Sequence, residues 1–304
     1  MEFFSHQTKI PFMAIRNKTF LLSAVVMLLS IWGIFRYGLV MGLEFTGGTQ
    51  MEVSFDEAVD LNTVRNHLAE ATQNINIQSI GGSKDLLIRI PKTDTQSIQA
   101  NVQSKIRQAY PKAKITHVEY IGPQIGQELL AEGLNAVIFA LILTMVYIAF
   151  RFEYRFAIAA IIALMHDPII TVGIFSYAQI EFDLISMAGL LTVLGYSLND
   201  TIVVYDRIRE NFTRYPDLAI EKTVNLAINE TLSRTIITSL LTLMAVLALL
   251  CFGGESLYGF SVALTIGIIV GTYSSIYVAG ALAVVLGLTN QPQNAPRIIS
   301  AQES

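Results

Sequence analysis

The sequence predicts an α-helical polytopic membrane protein with six transmembrane helices. A ferredoxin-like α+β (βαββαβ) periplasmic domain is expected between helices 1 and 2. Three observations carry this reading. Hydrophobic residues make up 53% of the 304-residue chain and charged residues only 14%, against about 25% charged in soluble domains. Apolar runs long enough to cross a bilayer recur at 19–39, 131–150, 156–178, 184–205, 235–252 and 258–287. The stretch between the first two runs alternates strand-like and helix-like periods.

Run 1, TFLLSAVVMLLSIWGIFRYGL, holds one charge, Arg36, near its far end. At about 1.5 Å per residue each such run crosses the ~30 Å hydrocarbon layer. The core of run 1 is longer than a signal-peptide core and no A-x-A-like site follows, so an uncleaved anchor is expected. Lys9, Arg16, Lys18, Arg151, Arg155, Arg207, Arg209, Arg214, Lys222, Arg234 and Arg297 all fall on one side of the layer. The short loops 179–183 and 253–257 on the other side have no Lys or Arg. Both termini are therefore expected to be cytoplasmic. The division expected is 1–18 cytoplasmic, 19–40 helix 1, 41–128 the outer domain, 129–288 the five-helix region and 289–304 a cytoplasmic tail. The lone cysteine, Cys251, excludes an internal disulfide.

Within the outer domain, Met51, Val53 and Phe55 share one face of a strand. Leu61, Val64, Leu68 and Ala71 follow at helical spacing, Ile75 and Ile77 alternate, and Gly81-Gly82 turns the chain. Leu86, Ile88 and Ile90 alternate up to Pro91; Ile98, Val102, Ile106 and Ala109 form a second helical stripe; 115–121 reads as a last strand. Two helices on one face of such a sheet leave the other face open for a partner or an extended peptide. Acidic and basic side chains nearly balance here, so charge selects no ligand.

Ionisable side chains inside a bilayer are costly and mark function by default. Asp167 lies near the expected midplane of helix 3, preceded by His166 and followed by Pro168. Asp200 lies in helix 4 beside Asn199, about a third of the way in from the cytoplasm, and Arg234 lies near the start of helix 5. Asp200 and Arg234 are expected at similar depth as mutual counter-charges. A carboxyl group in low dielectric can take up and release a proton, and a nearby guanidinium stays cationic and shifts that balance. The alternative is a structural ion pair with a hydrogen-bonded aspartate. In helix 6, Gly259, Ala263, Gly267, Gly271, Ser275, Ala279, Ala283 and Gly287 recur every fourth residue, a ridge for close helix packing. Ala188, Thr192, Gly195 and Asn199 form a shorter small or polar face on helix 4. The chain has no G-x-x-x-x-G-K-[ST] loop, no G-x-G-x-x-G after a strand and no H-E-x-x-H or Cys/His metal spacing. No cofactor, metal or catalytic residue is therefore expected. The net charge of −4 argues against a nucleic-acid partner.

Four segments resemble the SecD/SecF family of protein-export membrane subunits, within the resistance–nodulation–division superfamily. They are GLEFTGGTQ at 42–50, MHDPIITVGIFS at 165–176, GYSLNDTIVVYDRIREN at 195–211 and NETLSRTIITS at 229–239. Leu198 and Tyr205 stand where the family pattern has Ile and Phe. The motif positions include Gly42, Glu44, Phe45, Gly47, Gly48, Asp206 and Arg207. The resemblance to SecF-like members implies a non-enzymatic accessory subunit of the bacterial Sec translocase. It would use the proton gradient with a SecD-like subunit, alongside the SecYEG channel, YajC and YidC, to help a translocating polypeptide finish crossing. The family's proton-linked aspartate and arginine map onto Asp200 and Arg234, with Asn199 orienting the pair and Asp167 and His166 as further relay positions. Half of a proton-coupled small-molecule exporter and a passive assembly scaffold remain as alternatives.

Overall fold

The computed structural model describes residues 8–69, 75–79, 84–91, 95–152 and 154–287. The expected Gly81-Gly82 turn, Ala71, the side chain of Ile98 and the tail from 289 lie outside them. The chain enters through a 3-10 turn, Phe12–Ile15, that runs into α1, Arg16–Tyr37. Gly38 ends α1 at φ 70°, a conformation that costs glycine nothing. A two-residue strand β1 (Val40–Met41) and a one-turn helix α2 (Leu43–Thr46) lead into the outer unit. That unit contains β2 (Gly48–Ser54), α3 (Leu61–Ala69), β3 (Asn76–Ser79), β4 (Asp85–Pro91), α4 (Thr95–Ala109) and β5 (Lys114–Ile121). The remaining elements are α5 (Pro123–Arg151), α6 (Tyr154–Ala178), β6 (Glu181–Phe182), α7 (Leu184–Arg214), α8 (Ile220–Phe252) and α9 (Tyr258–Tyr273). A π-helical turn, Ser274–Ala279, joins α9 to α10 (Gly280–Val285).

Among the described residues six helical segments are long and apolar enough to cross a membrane. They form two tiers. The apolar windows of α6, α7 and α9–α10 are 56%, 50% and 56% buried, whereas those of α1, α8 and α5 are 22%, 17% and 6% buried. The outer tier carries large exposed side chains, among them Leu28, Trp32 and Phe35 on α1, Phe139, Leu143 and Phe150 on α5, and Leu240, Leu241 and Met244 on α8. Apolar surface on that scale suits contact with lipid or with another membrane helix and not with water. The chain is a multi-pass membrane protein.

Two helices differ from the sequence expectation. The charged stretch 206–234, expected to bridge two spans, is mostly helix, broken only at residues 215–219. α7 stops at Arg214, just ahead of Pro216, because proline disfavours the helical conformation of the residue before it. With 33 residues α8 is about 50 Å long, so it overruns a ~30 Å layer. The polar overhang is tied together by Arg207–Glu210 at 3.1 Å, Arg214–Glu210 at 2.8 Å and Asn211–Glu230 at 2.8 Å. The N-terminal segment is strapped along it, with Asn229 bridging both the backbone N–H and the carbonyl of Ile10 at 2.9 Å.

The outer unit is a four-stranded sheet in the order β3-β4-β2-β5, every neighbouring pair antiparallel. Met51, Val53, Ile77, Leu86, Ile88 and Ile90 point from one face into a core closed by Val64 and Leu68 of α3 and Val102 and Ile106 of α4. The alternation of each strand is what places these residues on one side. The other face is not wholly free. Near the bundle, Arg89 is engaged with Glu181 and Glu44 and donates to Gln50, and Gln78 donates to Glu181. A parallel bridge of β1 with β6, Val40 to Glu181 and Met41 to Phe182, joins the entry to the outer unit with the α6–α7 connection.

Candidate functional site

The densest polar cluster in the bundle is built around Asp167. α6 brings it to the centre, where its side chain is fully buried. Its Oδ2 accepts hydrogen bonds from Ser197 of α7 at 2.5 Å and Ser274 of the π turn at 2.9 Å. Its Oδ1 lies 2.9 Å from His166 Nδ1. Gly271 makes room for this approach: a Cβ there would sit 3.1 Å from Ser197 Cβ and 3.4 Å from Asp167 Oδ2. The His166 ring stacks on Tyr273 with centroids 6.3 Å apart, and its buried Nε2 has no partner. The Tyr273 hydroxyl donates to the Thr19 carbonyl of α1 at 2.9 Å. A polar chain thus crosses the bundle from α1 to α7.

Asp200 is also buried, at 4% exposure. It accepts from Ser239 of α8 at 3.5 Å, at the limit of a hydrogen bond, and Ser239 in turn accepts from Thr272 of α9 at 2.8 Å. One residue further along α7, Thr201 pairs with Ser275 at 3.0 Å, and Ser275 donates to the Ser197 carbonyl at 3.3 Å. The two carboxyl groups therefore face the same region of α9 and the π turn. Ser197, which binds Asp167, precedes Asp200 by three residues on α7, less than one helical turn. The expected separation, midplane against cytoplasmic third, is thus a single turn. π turns widen the backbone ladder and recur at functional sites, and this one carries two of the hydroxyls, Ser274 and Ser275.

The structure does not bring Asp200 and Arg234 into contact. Arg234 is exposed on α8, and no salt bridge joins the two, although the guanidinium is near enough to act on Asp200 through space. Asn199 is also exposed and makes no hydrogen bond to Asp200, because adjacent helical residues point in different directions. Ala188, Thr192, Gly195 and Asn199 are all exposed and line one face of α7. Asp206 and Arg207 lie in the overhang, paired with Arg151 at 3.0 Å and with Glu210 at 3.1 Å.

The small residues of α9 sit against α7. A Cβ on Gly267 would fall 2.0 Å from a Val193 methyl, and one on Gly259 would fall 2.1 Å from Ser186 Oγ. The buried Ser275 continues the same ridge. The hydroxyls of Ser197, Ser239, Thr272 and Ser274, and Tyr273 itself, escaped the sequence reading. Their signal was present in the run of hydroxyl residues at 272–275, but a small-residue period reads first as packing.

The glycine motif forms the hinge between bundle and outer sheet. The Gly42 N–H donates to the Phe182 carbonyl at 2.9 Å, and a Cβ at Gly42 would lie 2.9 Å from Asp183 Cα. Phe45 is buried and stacks on Phe182, with centroids 6.4 Å apart. Gly47 at φ 75° and Gly48 at φ 152° then turn the chain into β2 through conformations other residues rarely adopt. Glu44 lies 3.7 Å from Arg89, which pairs with Glu181 at 2.8 Å. Burial holds the Glu181 carboxyl above the usual carboxylate range, and the Arg89 guanidinium opposes that rise. Among the described residues no cluster of three or more His, Cys, Asp or Glu side chains could hold a metal.

With this geometry in view, the comparisons decide the family. Residues 101–289 match the family model for the protein export membrane protein SecD/SecF, C-terminal, and residues 32–59 match the SecD/SecF GG motif. The chain belongs to the SecD/SecF family. Among its relatives is a protein translocase subunit SecF of Pseudomonas aeruginosa, 42% identical over 285 residues and 93% of each chain. Another, from Calditerrivibrio nitroreducens, is 42% identical over 93% of this chain and 95% of its own. The SecDF crystal structure from Thermus thermophilus, described as a translocon-associated membrane protein, superposes with a TM-score of 0.81 at 36% identity. The match covers 93% of this chain and 39% of that one. SecDF in its super-membrane-facing form gives a TM-score of 0.70 at 37% identity. SecD/SecF membership places the chain among accessory subunits of the Sec translocase.

Proposed function

We propose that the chain is the SecF-like half of a proton-driven machine that assists late steps of protein export across the bacterial inner membrane. Both termini are cytoplasmic and residues 41–128 form a ferredoxin-like periplasmic domain. The strand order β3-β4-β2-β5 with α3 and α4 on one face supports that assignment. A SecD-like subunit supplies the other half of the membrane region, and the pair works beside SecYEG, YajC and YidC on a translocating polypeptide. The exposed small and polar face of α7, with none of the described residues beyond the local helix backbone within 4 Å of a Cβ at Gly195, supports a second helix bundle packed there.

The observation that carries the proton reading is the pair of buried carboxyl groups: Asp167 is bonded by Ser274 of the π turn, and Asp200 is linked through Ser239 to Thr272 of α9, two residues ahead of that turn. Asp200 takes the proton. It has no fixed counter-ion, so its charge state is free to change the packing of α7, α8 and α9. Arg234 tunes it from a distance and shifts the balance as it nears or withdraws. Asp167, with His166, is the second relay position. A proton crossing the membrane potential supplies about 2.3 kcal/mol per 100 mV, enough to bias a two-state rearrangement.

Two measurements test this reading. A tagged chain is expected to co-purify with a second six-span protein that carries its own G-L-x-x-x-G-G motif. The Asp200→Asn variant is expected to slow secretion without loss of that complex. Normal secretion by Asp200→Asn would leave only a passive scaffold. Lost drug efflux with intact secretion would point to the exporter instead.

A further inference from the structure

Arg89 occupies a charged junction between the outer sheet and the mouth of the bundle. It stands on β4, on the face of the sheet opposite the domain core. Its Nη1 pairs with Glu181 of β6 at 2.8 Å, its Nη2 lies 3.7 Å from Glu44 of the glycine motif, and its Nε donates to Gln50 at 3.2 Å. Gln78 of β3 reaches Glu181 at 3.4 Å. All three charged side chains are largely buried, at 12% exposure for Arg89, 19% for Glu181 and 23% for Glu44. Glu44 Oε2 has no partner. A third carboxylate, Asp183, also acts on Glu181 but is committed to capping α7, where it accepts from Ser186 N–H and Oγ. A cavity of about 330 Å³ runs alongside, lined by Gln78, Arg89, Glu181, Asp183 and, from α9, Tyr258. Without the guanidinium, Glu44 and Glu181 would face each other half-buried and uncompensated, an arrangement that costs far more than the loss of a surface ion pair.

We propose that Arg89 is a positioning residue for export: its pairing with Glu181 and Glu44 clamps the outer sheet onto the mouth of the bundle, and loss of that pairing lets the sheet swing away. The proposal rests on the export reading above and adds to it that the outer domain moves while a polypeptide is exported. It also fixes a sign for pH. Burial raises the Glu181 carboxyl in the clamped junction, whereas an opened junction would hydrate it and return it toward its ordinary value of 4.5. The clamped state therefore binds the proton more tightly, so acidification favours clamping and a rise in pH through the raised value favours opening. Arg89 is what keeps the junction closed while Glu181 is ionised.

The test uses the full chain with its membrane partner in lipid nanodiscs. One spin label goes on the native exposed Cys251, at the end of α8, and one on Glu119→Cys, on exposed β5. Pulsed EPR reads the distance between them. The otherwise unmodified protein is expected to give one narrow distribution. Arg89→Gln is expected to add a second, displaced population at neutral pH that collapses back on mild acidification, when Glu181 protonates. Arg89→Lys is expected to restore the single population. Glu181→Gln, which mimics the protonated acid, is expected to stay clamped with little response to pH. A single unshifted population in Arg89→Gln at neutral pH would overturn the clamp. So would a second population that acid does not reverse, since that is simple loss of structure. The distances are read without any export, so failure here leaves the export reading standing. Normal export by Asp200→Asn would remove that reading and leave the clamp measurement intact.

Discussion

Replacing Asp167 by Leu keeps the branching of the side chain, with bulkier arms, and deletes the acceptor at the centre of the bundle. Three donors lose their partner: Ser197 at 2.5 Å, Ser274 at 2.9 Å and the His166 ring at 2.9 Å. Interhelical hydrogen bonds in membranes are worth about 1 kcal/mol each. Two bonds between helices and one within α6, at about 1 kcal/mol each, set a loss of about 3 kcal/mol. Ser274 has a second acceptor in the Gly271 carbonyl at 3.1 Å, which brings the expected loss down to about 2 kcal/mol. The His166 ring has no such recourse, because its other nitrogen already lacks a partner. Asp167→Asn keeps an acceptor oxygen and is expected to cost less than half as much. The assay is reversible unfolding of the complex in bicelles, with a double-mutant cycle between Asp167→Leu and Ser197→Ala that is expected to show coupling of about 1 kcal/mol. If Asp167→Leu unfolds at the wild-type midpoint, the polar chain from α1 to α7 contributes nothing and the reasoning fails.

Other consequences follow from backbone geometry and close packing. Gly267→Leu drives a side chain into Val193, whose methyl lies 2.0 Å from even a Cβ at that position. Overpacking of this kind costs about 1–3 kcal/mol, so a lowered unfolding midpoint is expected, and an unchanged one would mean that α7 and α9 are not held at this spacing. Gly47→Ala forces φ 75° and ψ 159° on a residue with a Cβ, a penalty of about 1–3 kcal/mol. Faster proteolysis at the entry to β2, with the helix bundle intact, is the expected readout, and wild-type protease resistance would count against the strained turn.

Much of this fold can be read from periodicity. Alternation placed Met51, Val53, Leu86, Ile88 and Ile90 on one face, because a strand turns successive side chains to opposite sides, and they form the core of the sheet. Run length located all six membrane helices, because hydropathy reports whether a segment can enter lipid. It said little about where a helix stops. Asn211, Glu221 and Glu230 are polar enough to read as a loop, yet α7 and α8 continue through them as ion-paired helix outside the layer. Within the site, single charged residues stood out against an apolar background, so Asp167, Asp200 and His166 were visible. What they touch was not. The expected Asp200–Arg234 pair depends on which way each helix faces, and rotation about the helix axis leaves no trace in hydropathy. The serine and threonine acceptor and donor chain was hidden for the opposite reason, since hydroxyls in membrane helices usually bond their own backbone one turn back, as Thr242 and Thr265 do here.

The central claim is that a carboxyl group buried in the bundle changes protonation during the working cycle. Proton flux through vesicles that contain the chain and its SecD-like partner, driven by an imposed pH difference and potential, measures this directly. The wild-type pair is expected to conduct protons and Asp200→Asn to abolish that flux while the complex stays assembled. Undiminished flux through Asp200→Asn would contradict the account.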